Sequence, residues 1–142
     1  MCIRDSYTAP QLPEDKVRYL MGVGKPKDII EAVYRGVDIF DCVIPTREGR
    51  HGIAYIGSSS INLKNSKFES DLTPLDESND YFVSKKYSKS YLNHLLKIKD
   101  PLGPMLISLH NLNYYFNLMV DLGTSIEEGR LDIFREDFYK YN

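Results

Sequence analysis

Asp41, Arg47 and Arg50 are the residues of this sequence whose types and spacing could do chemistry. Asp41 lies in a short apolar run, Val37-Asp38-Ile39-Phe40-Asp41-Cys42-Val43-Ile44, with the composition of a buried strand. A carboxylate where such a strand gives way to a loop is exposed at one end while the strand's flanks stay dry. Held that way it can act as a nucleophile or stabilise a developing positive charge; the plainer alternative is that it caps a turn. Pro45 breaks the strand, and Arg47 and Arg50 follow three residues apart in the expected loop. Two guanidiniums at that spacing can fork together onto phosphates or a base edge, or stand simply as solvated surface charges.

The elements that must position these groups are legible on both sides. Residues 18–23 read as a strand closed by Gly22 and Gly24, and Pro26 opens a helix with Asp28 in its first turn. Ile29, Ile30 and Val33 form the buried stripe of that helix, Gly36 ends it, and residues 37–42 make the next strand. Strand, helix, strand at this spacing predicts a parallel βα unit, an arrangement in which chemistry sits at the C-terminal ends of the strands. Residues 53–56 and 61–64 alternate around Gly57-Ser58-Ser59-Ser60 and predict a hairpin. The polar stretch 65–84 is expected to be mostly loop, with a turn at Pro74. Three helical stripes follow: Tyr87, Tyr91, Leu95 and Ile98; Met105, Leu109, Leu112, Phe116 and Met119; and Leu131, Phe134, Phe138 and Tyr141. Such stripes predict core or subunit contact.

Composition narrows the function classes. A chain of 142 residues with 42% hydrophobic content has room for one ordinary domain with a core. The formal charge of −2 means that any nucleic-acid contact must come from a local patch. Cys2 and Cys42 make neither a disulfide framework nor a metal knuckle, so a reducing, cytoplasmic compartment is the expectation. No apolar run has membrane-span length, and the N-terminus lacks a signal-peptide core. Residues 1–10 show no periodicity, and Met1 to Ser6 are expected to be a foreign or disordered tail.

Phe40-Asp41-Cys42-Val43-Ile44-Pro45-Thr46-Arg47, followed by Gly49-Arg50, closely resembles the nucleophile segment of bacterial-type tRNA-guanine transglycosylases, the queuine or preQ1 tRNA-ribosyltransferases. Leu12-Pro13-Glu14-Asp15-Lys16, Arg18-Tyr19-Leu20-Met21-Gly22-Val23-Gly24, residues 65–76, His110-Asn111-Leu112 with Tyr114-Tyr115, and Ile126-Glu127-Glu128-Gly129 match the same family in order. The resemblance runs from about residue 11 to the end and implies the C-terminal third of a longer protein. Residues 11–64 would be the last βα units of a (β/α)8 barrel, and residues 65–142 a mostly helical, zinc-binding-type subdomain.

The resemblance also implies roles. Asp41 would attack C1′ of the ribose of guanosine 34 in the anticodon loop, forming a covalent ester that an incoming 7-deazaguanine base displaces. A carboxylate suits an oxocarbenium-like transition state, as in retaining glycoside hydrolysis. Gly22, Val23, Gly24, Lys25, Pro26, Lys27 and Asp28 would form one RNA-contacting segment, and Thr46, Arg47, Glu48, Gly49 and Arg50 the other. Met21 would pack against the bound base. The family's general base and guanine-recognising carboxylate lie in strands that this sequence does not contain, so the isolated chain is expected to be inactive, with open sheet edges. The family's zinc ligands correspond to Asn79, Tyr81, Ser84 and His110, of which only His110 is a normal ligand, so no zinc and no other cofactor is expected. His110 is then expected to be a helix histidine satisfied by hydrogen bonds. The family usually dimerises through this region. A standalone, non-catalytic tRNA-binding or dimerisation module built on the same fold is the alternative.

Overall fold

The computed structural model describes residues 6–140, which form two compact units, one of the residues up to Ile44 with those from Leu118 onward and the other of Pro45–Asn117. Helices and strands are mixed, as expected of an α/β chain. In the first unit, β1 (Tyr19–Met21) and β2 (Ile39–Asp41) pair in parallel and are joined by α1 (Pro26–Tyr34). Pro26 occupies the first turn of α1, where its missing N–H costs nothing, and Asp28 complements the helix dipole. Ile29, Ile30 and Val33 are buried as the stripe predicts. Arg18 sets the strand pairing: its N–H donates to Asp38 Oδ2 at 2.8 Å, and its guanidinium donates to the carbonyls of Gly36 and Leu12.

The strands themselves differ from the expectation of dry flanks. Tyr19, Met21 and Ile39 are exposed, while Leu20 and Phe40 between them are half-buried. Alternate side chains leave opposite faces of a strand, and in this two-stranded sheet one face is bare. Among the residues that precede β1, Ala9–Gln11 form a 3-10 turn, Ala9 is buried, and Ser6 accepts a hydrogen bond from Arg35. Residues 1–5 lie outside the described residues.

The C-terminal helix of this unit, Leu131–Lys140, is held to α1 by charge, since none of its residues is fully buried. The buried Glu31 pairs with both Arg35 and Arg135, and Arg135 stacks over Tyr34. Burial works against ionisation of Glu31, but hydrogen bonds from Arg135 and Arg35 outweigh it and hold its carboxyl below the usual range. Leu131, Phe134 and Phe138 are half-buried, as their spacing suggests, and Tyr141 lies outside the described residues.

The second unit packs around Ala54, Leu63, Phe68, Leu75, Val83, Leu92, Leu95, Leu106 and Ile107. After α2 (Ile44–His51), β3 (Ile53–Ile56) and β4 (Ser59–Asn62) form an antiparallel hairpin. Its turn is tighter than the four residues expected, because Gly57 at φ +55° lets Ile56 pair directly with Ser59. The polar stretch that follows is ordered by its own side chains: Asp71, Asp76 and Asn79 each accept from the N–H two residues on. It includes a 3-10 turn, Ser66–Phe68, and a short helix, α3 (Phe82–Lys86), in place of uninterrupted loop.

Helix α4 (Lys89–Lys97) starts later than its aromatic stripe implies, because the Ser88 hydroxyl caps it by accepting from Tyr91 N–H. Tyr87 therefore precedes the helix and stacks on Tyr91, and the buried face is Leu92, Asn93 and Leu95. Helix α5 (Leu102–Glu127) is apolar on more than one side. Leu106, Ile107, Tyr115, Leu118 and Leu122 are its buried large apolar residues, beside the buried His110, Asn111 and Ser125, whereas Met105, Leu112 and Phe116 of the predicted stripe are exposed. Leu109 of the same stripe packs against the core and Met119 is half-buried, so the stripe is part core and part surface. Among the described residues no helix is long and apolar enough to cross a membrane.

Candidate active site

Parallel pairing in the register Met21↔Asp41 places Asp41 at the C-terminal end of β2. In-register neighbours, and residues two apart on one strand, share a face of a sheet, so Tyr19, Met21, Ile39 and Asp41 stand together on the bare face. The Tyr19 hydroxyl donates to Asp41 Oδ1 at 2.7 Å, and the Gly22 N–H donates to the same oxygen at 3.1 Å. The Gly22 N–H also reaches the Asp41 carbonyl at 3.0 Å, in a turn that puts Gly22 at φ +75°. The Tyr19 hydrogen bond, then the Gly22 N–H, hold the Asp41 carboxyl below its ordinary range. The same bond pushes the Tyr19 phenol up. The carboxylate is therefore exposed, oriented and favoured in its ionised form.

The residues after β1 divide by burial. Gly22, Lys25 and Lys27 are exposed, Asp28 is half-buried, and Val23, Gly24 and Pro26 are buried. A Cβ on Gly24 would lie 2.0 Å from Cys42 Sγ, so this glycine lets the segment close onto the residue that follows Asp41. Lys27 sits over the ring of Tyr139 at 5.5 Å. Met21 is 72% exposed and free to present an apolar face beside Asp41.

Thr46, Arg47, Glu48, Gly49 and Arg50 lie on helix α2, not in a loop. Pro45 starts this helix: in the first turn its missing N–H has no intrahelical partner to lose. Pro45 and Gly49, four apart, form the buried side, Thr46 and Glu48 are half-buried, and Arg47, Arg50 and His51 are exposed. Three-residue spacing still brings the two arginines together, now as neighbours on a helix surface. His51 bonds through Nδ1 to the Arg47 carbonyl and so serves the end of the helix. A Cβ on Gly49 would fall 2.8 Å from the backbone of Ser108, which makes it the contact point of α2 with α5.

Asn111, fully buried on α5, holds the same helix in place. Its amide donates to the carbonyls of Pro45 and Ile53 at 2.9 Å each, and its oxygen accepts from Tyr55 N–H at 3.0 Å. Sequence reasoning passed over both Asn111 and Tyr19. Tyr19 had a signal, lying two residues before Met21 and hence on its face; a buried Asn inside an apolar helix was the signal for Asn111.

The four positions Asn79, Tyr81, Ser84 and His110 do not fit a structural zinc. Asn79 accepts from Tyr81 N–H at 3.0 Å, and the Ser84 hydroxyl lies 2.8 Å from His110 Nδ1. His110 Nε2 lies 2.7 Å from the Tyr55 carbonyl, so it carries the proton and donates, leaving Nδ1 to accept from Ser84. Both ring nitrogens are engaged, and burial pushes the imidazole pKa down, favouring the neutral form. Amide, phenol and hydroxyl groups replace the thiolates that such a centre needs. Among the described residues no cluster of three His, Cys, Asp or Glu could hold a metal ion.

A parallel strand–helix–strand unit, with an oriented carboxylate at the end of its second strand, marks the chain as an α/β protein. A family model described as queuine tRNA-ribosyltransferase matches residues 3–142, and the chain belongs to that family. The match begins inside the stretch that carries no motif of its own. A queuine tRNA-ribosyltransferase of Photobacterium profundum is 51% identical over 133 residues, covering 94% of this chain and 36% of the relative. Relatives of the same description in Francisella tularensis subsp. tularensis and subsp. novicida are each 51% identical over 132 residues, 93% of this chain and 36% of theirs. The chain spans little more than a third of the length of these curated relatives.

Proposed function

We propose that this chain is the C-terminal part of a tRNA-guanine transglycosylase, whose full-length form exchanges guanine 34 of the anticodon for a 7-deazaguanine such as preQ1. The observation that carries this reading is the exposed, oriented Asp41 carboxylate at the end of a parallel strand, in a chain of this family. The parallel β1–α1–β2 unit supports assignment of residues 11–64 to the last βα units of a (β/α)8 barrel, with residues 65–142 as the helical subdomain. The bare sheet face supports the view that further strands of the complete protein complete the pocket.

The reaction is a double displacement. A lone pair of the Asp41 carboxylate forms a bond to C1′ of the target ribose as the bond from C1′ to guanine N9 breaks, its electron pair leaving on the base. The departing guanine takes up a proton. The incoming base then attacks C1′ through its own N9 and loses one, and the ester's electron pair returns to Asp41. Two inversions give net retention. Arg47 and Arg50, exposed side by side on α2, and Lys25 and Lys27 are the groups available to anionic RNA. The exposed stripe of Met105, Leu112 and Phe116 is the surface available for homodimer contact.

Asp41→Asn in the full-length protein tests the assignment. The expected result is loss of base exchange and of the denaturant-stable tRNA–protein complex, with tRNA binding retained. Exchange at the normal rate would remove Asp41 from the mechanism. The compact unit Pro45–Asn117, with its own core, favours a second reading as a non-catalytic tRNA-binding or dimerising module. That standalone reading requires tRNA binding or self-association, without base exchange, by the 142-residue chain on its own.

A further inference from the structure

The hydrogen bonds at Asp41 are one-sided. Oδ1 takes both donors that come from β1 and its turn, the Tyr19 hydroxyl and the Gly22 N–H, and among the described residues no other residue donates to Oδ2. We propose that Tyr19 is a positioning residue that commits Asp41 Oδ2 to bond C1′ and favours departure of the carboxylate in the second displacement. This rests on the transglycosylase reading above.

Once Oδ2 is esterified, Oδ1 becomes the ester carbonyl oxygen and carries less negative charge. Hydrogen bonds to Oδ1 therefore stabilise the free carboxylate more than the ester, because donors bind a charged acceptor more strongly than a neutral one. When C1′–Oδ2 breaks, its electron pair returns to the carboxylate and the two donors take up the charge. They thus act on the balance between adduct and free enzyme, while the ribose touches only Oδ2. Tyr19 is half-exposed and its ring lies on the bare sheet face, so removing the hydroxyl alone leaves the packing intact.

The experiment uses the full-length protein with Tyr19→Phe, Tyr19→3-fluorotyrosine and Asp41→Asn. It measures the equilibrium fraction of covalent tRNA adduct on denaturing gels, the rate of base exchange, its pH profile and tRNA affinity. Tyr19→Phe should bind tRNA normally, hold several-fold more adduct and exchange several-fold more slowly, with its acid limb moved to higher pH. The limb moves up because Asp41, having lost a donor, protonates at higher pH. The fluorinated phenol, a stronger donor, should reduce the adduct and move the limb down. Unchanged adduct and an unchanged acid limb in both Tyr19 variants would overturn the proposal while leaving Asp41 as nucleophile. Adduct formation by Asp41→Asn would instead remove Asp41 as the nucleophile, and absence of any exchange by the unsubstituted protein would bring down the transglycosylase reading itself.

Discussion

Gly49→Ala turns the packing of α2 into a measurable quantity. In a helix, alanine is favoured over glycine by up to about 1 kcal/mol, so propensity alone predicts stabilisation. The new Cβ, however, would lie 2.5 Å from Ser108 Oγ and 2.8 Å from Ser108 Cα and N. The hydroxyl could rotate away, at the cost of its 2.7 Å bond to the Pro104 carbonyl, but backbone cannot. Restoring an ordinary contact near 3.5 Å requires α2 and α5 to part by roughly 0.7 Å. Overpacking of this kind costs about 1–3 kcal/mol. Gly49 is also near the end of α2, where the propensity gain shrinks, so the net expectation is a loss of about 1–2 kcal/mol. Gly123→Ala is the internal control: it sits in α5 with nothing within 4 Å of a built Cβ, and should gain up to about 1 kcal/mol. Urea denaturation followed by far-UV circular dichroism reads both, and the melting temperatures should move in opposite directions by roughly 4 °C per kcal/mol. If Gly49→Ala is as stabilising as Gly123→Ala, the close approach of α2 to α5 is wrong, and with it the role of Gly49 as a packing residue.

Asn111→Ala should cost about 2–4 kcal/mol in the same denaturation assay, because it removes three buried hydrogen bonds at once, those to the carbonyls of Pro45 and Ile53 and the one from the Tyr55 N–H. Asn111→Asp should be no better, since a carboxylate cannot donate to Pro45 and Ile53. His110 links stability to pH. Its folded pKa is depressed below the ordinary value of 6.5 by burial, so its contribution is complete above that pH and is lost as pH falls through the folded pKa. Stability measured between pH 7 and 5 should therefore decline, and His110→Gln should flatten that decline; a slope unchanged by the substitution would mean that folding does not depress the His110 pKa. Adding zinc should leave the melting temperature of the unsubstituted protein where it is, because Asn79, Tyr81 and Ser84 offer no thiolate beside His110.

Local patterns carried much of this protein. The apolar period of α1, Pro26 at its first turn and the apolar strands on either side were enough to place Asp41 at a strand end, since backbone periodicity and proline geometry act within a few residues. The three-residue spacing of Arg47 and Arg50 likewise survives in α2. What the sequence left undecided depends on neighbours distant in the chain. Pro45 looks like a breaker until its position in the first turn of a helix is known, and Gly49 looks like a loop residue until Ser108 is found against it. The stripe from Met105 to Phe116 has the spacing of a core face, yet α5 buries another, because a helix apolar on several sides cannot state which one its partners will cover. Tyr19 and Asp41 are 22 residues apart, and only the parallel register of β1 and β2 brings the hydroxyl to the carboxylate. The sequence by itself determined which residues could do chemistry and the elements that carry them. Tertiary pairing decided which oxygen of Asp41 is held and which is free, because that depends on contacts that no local pattern encodes.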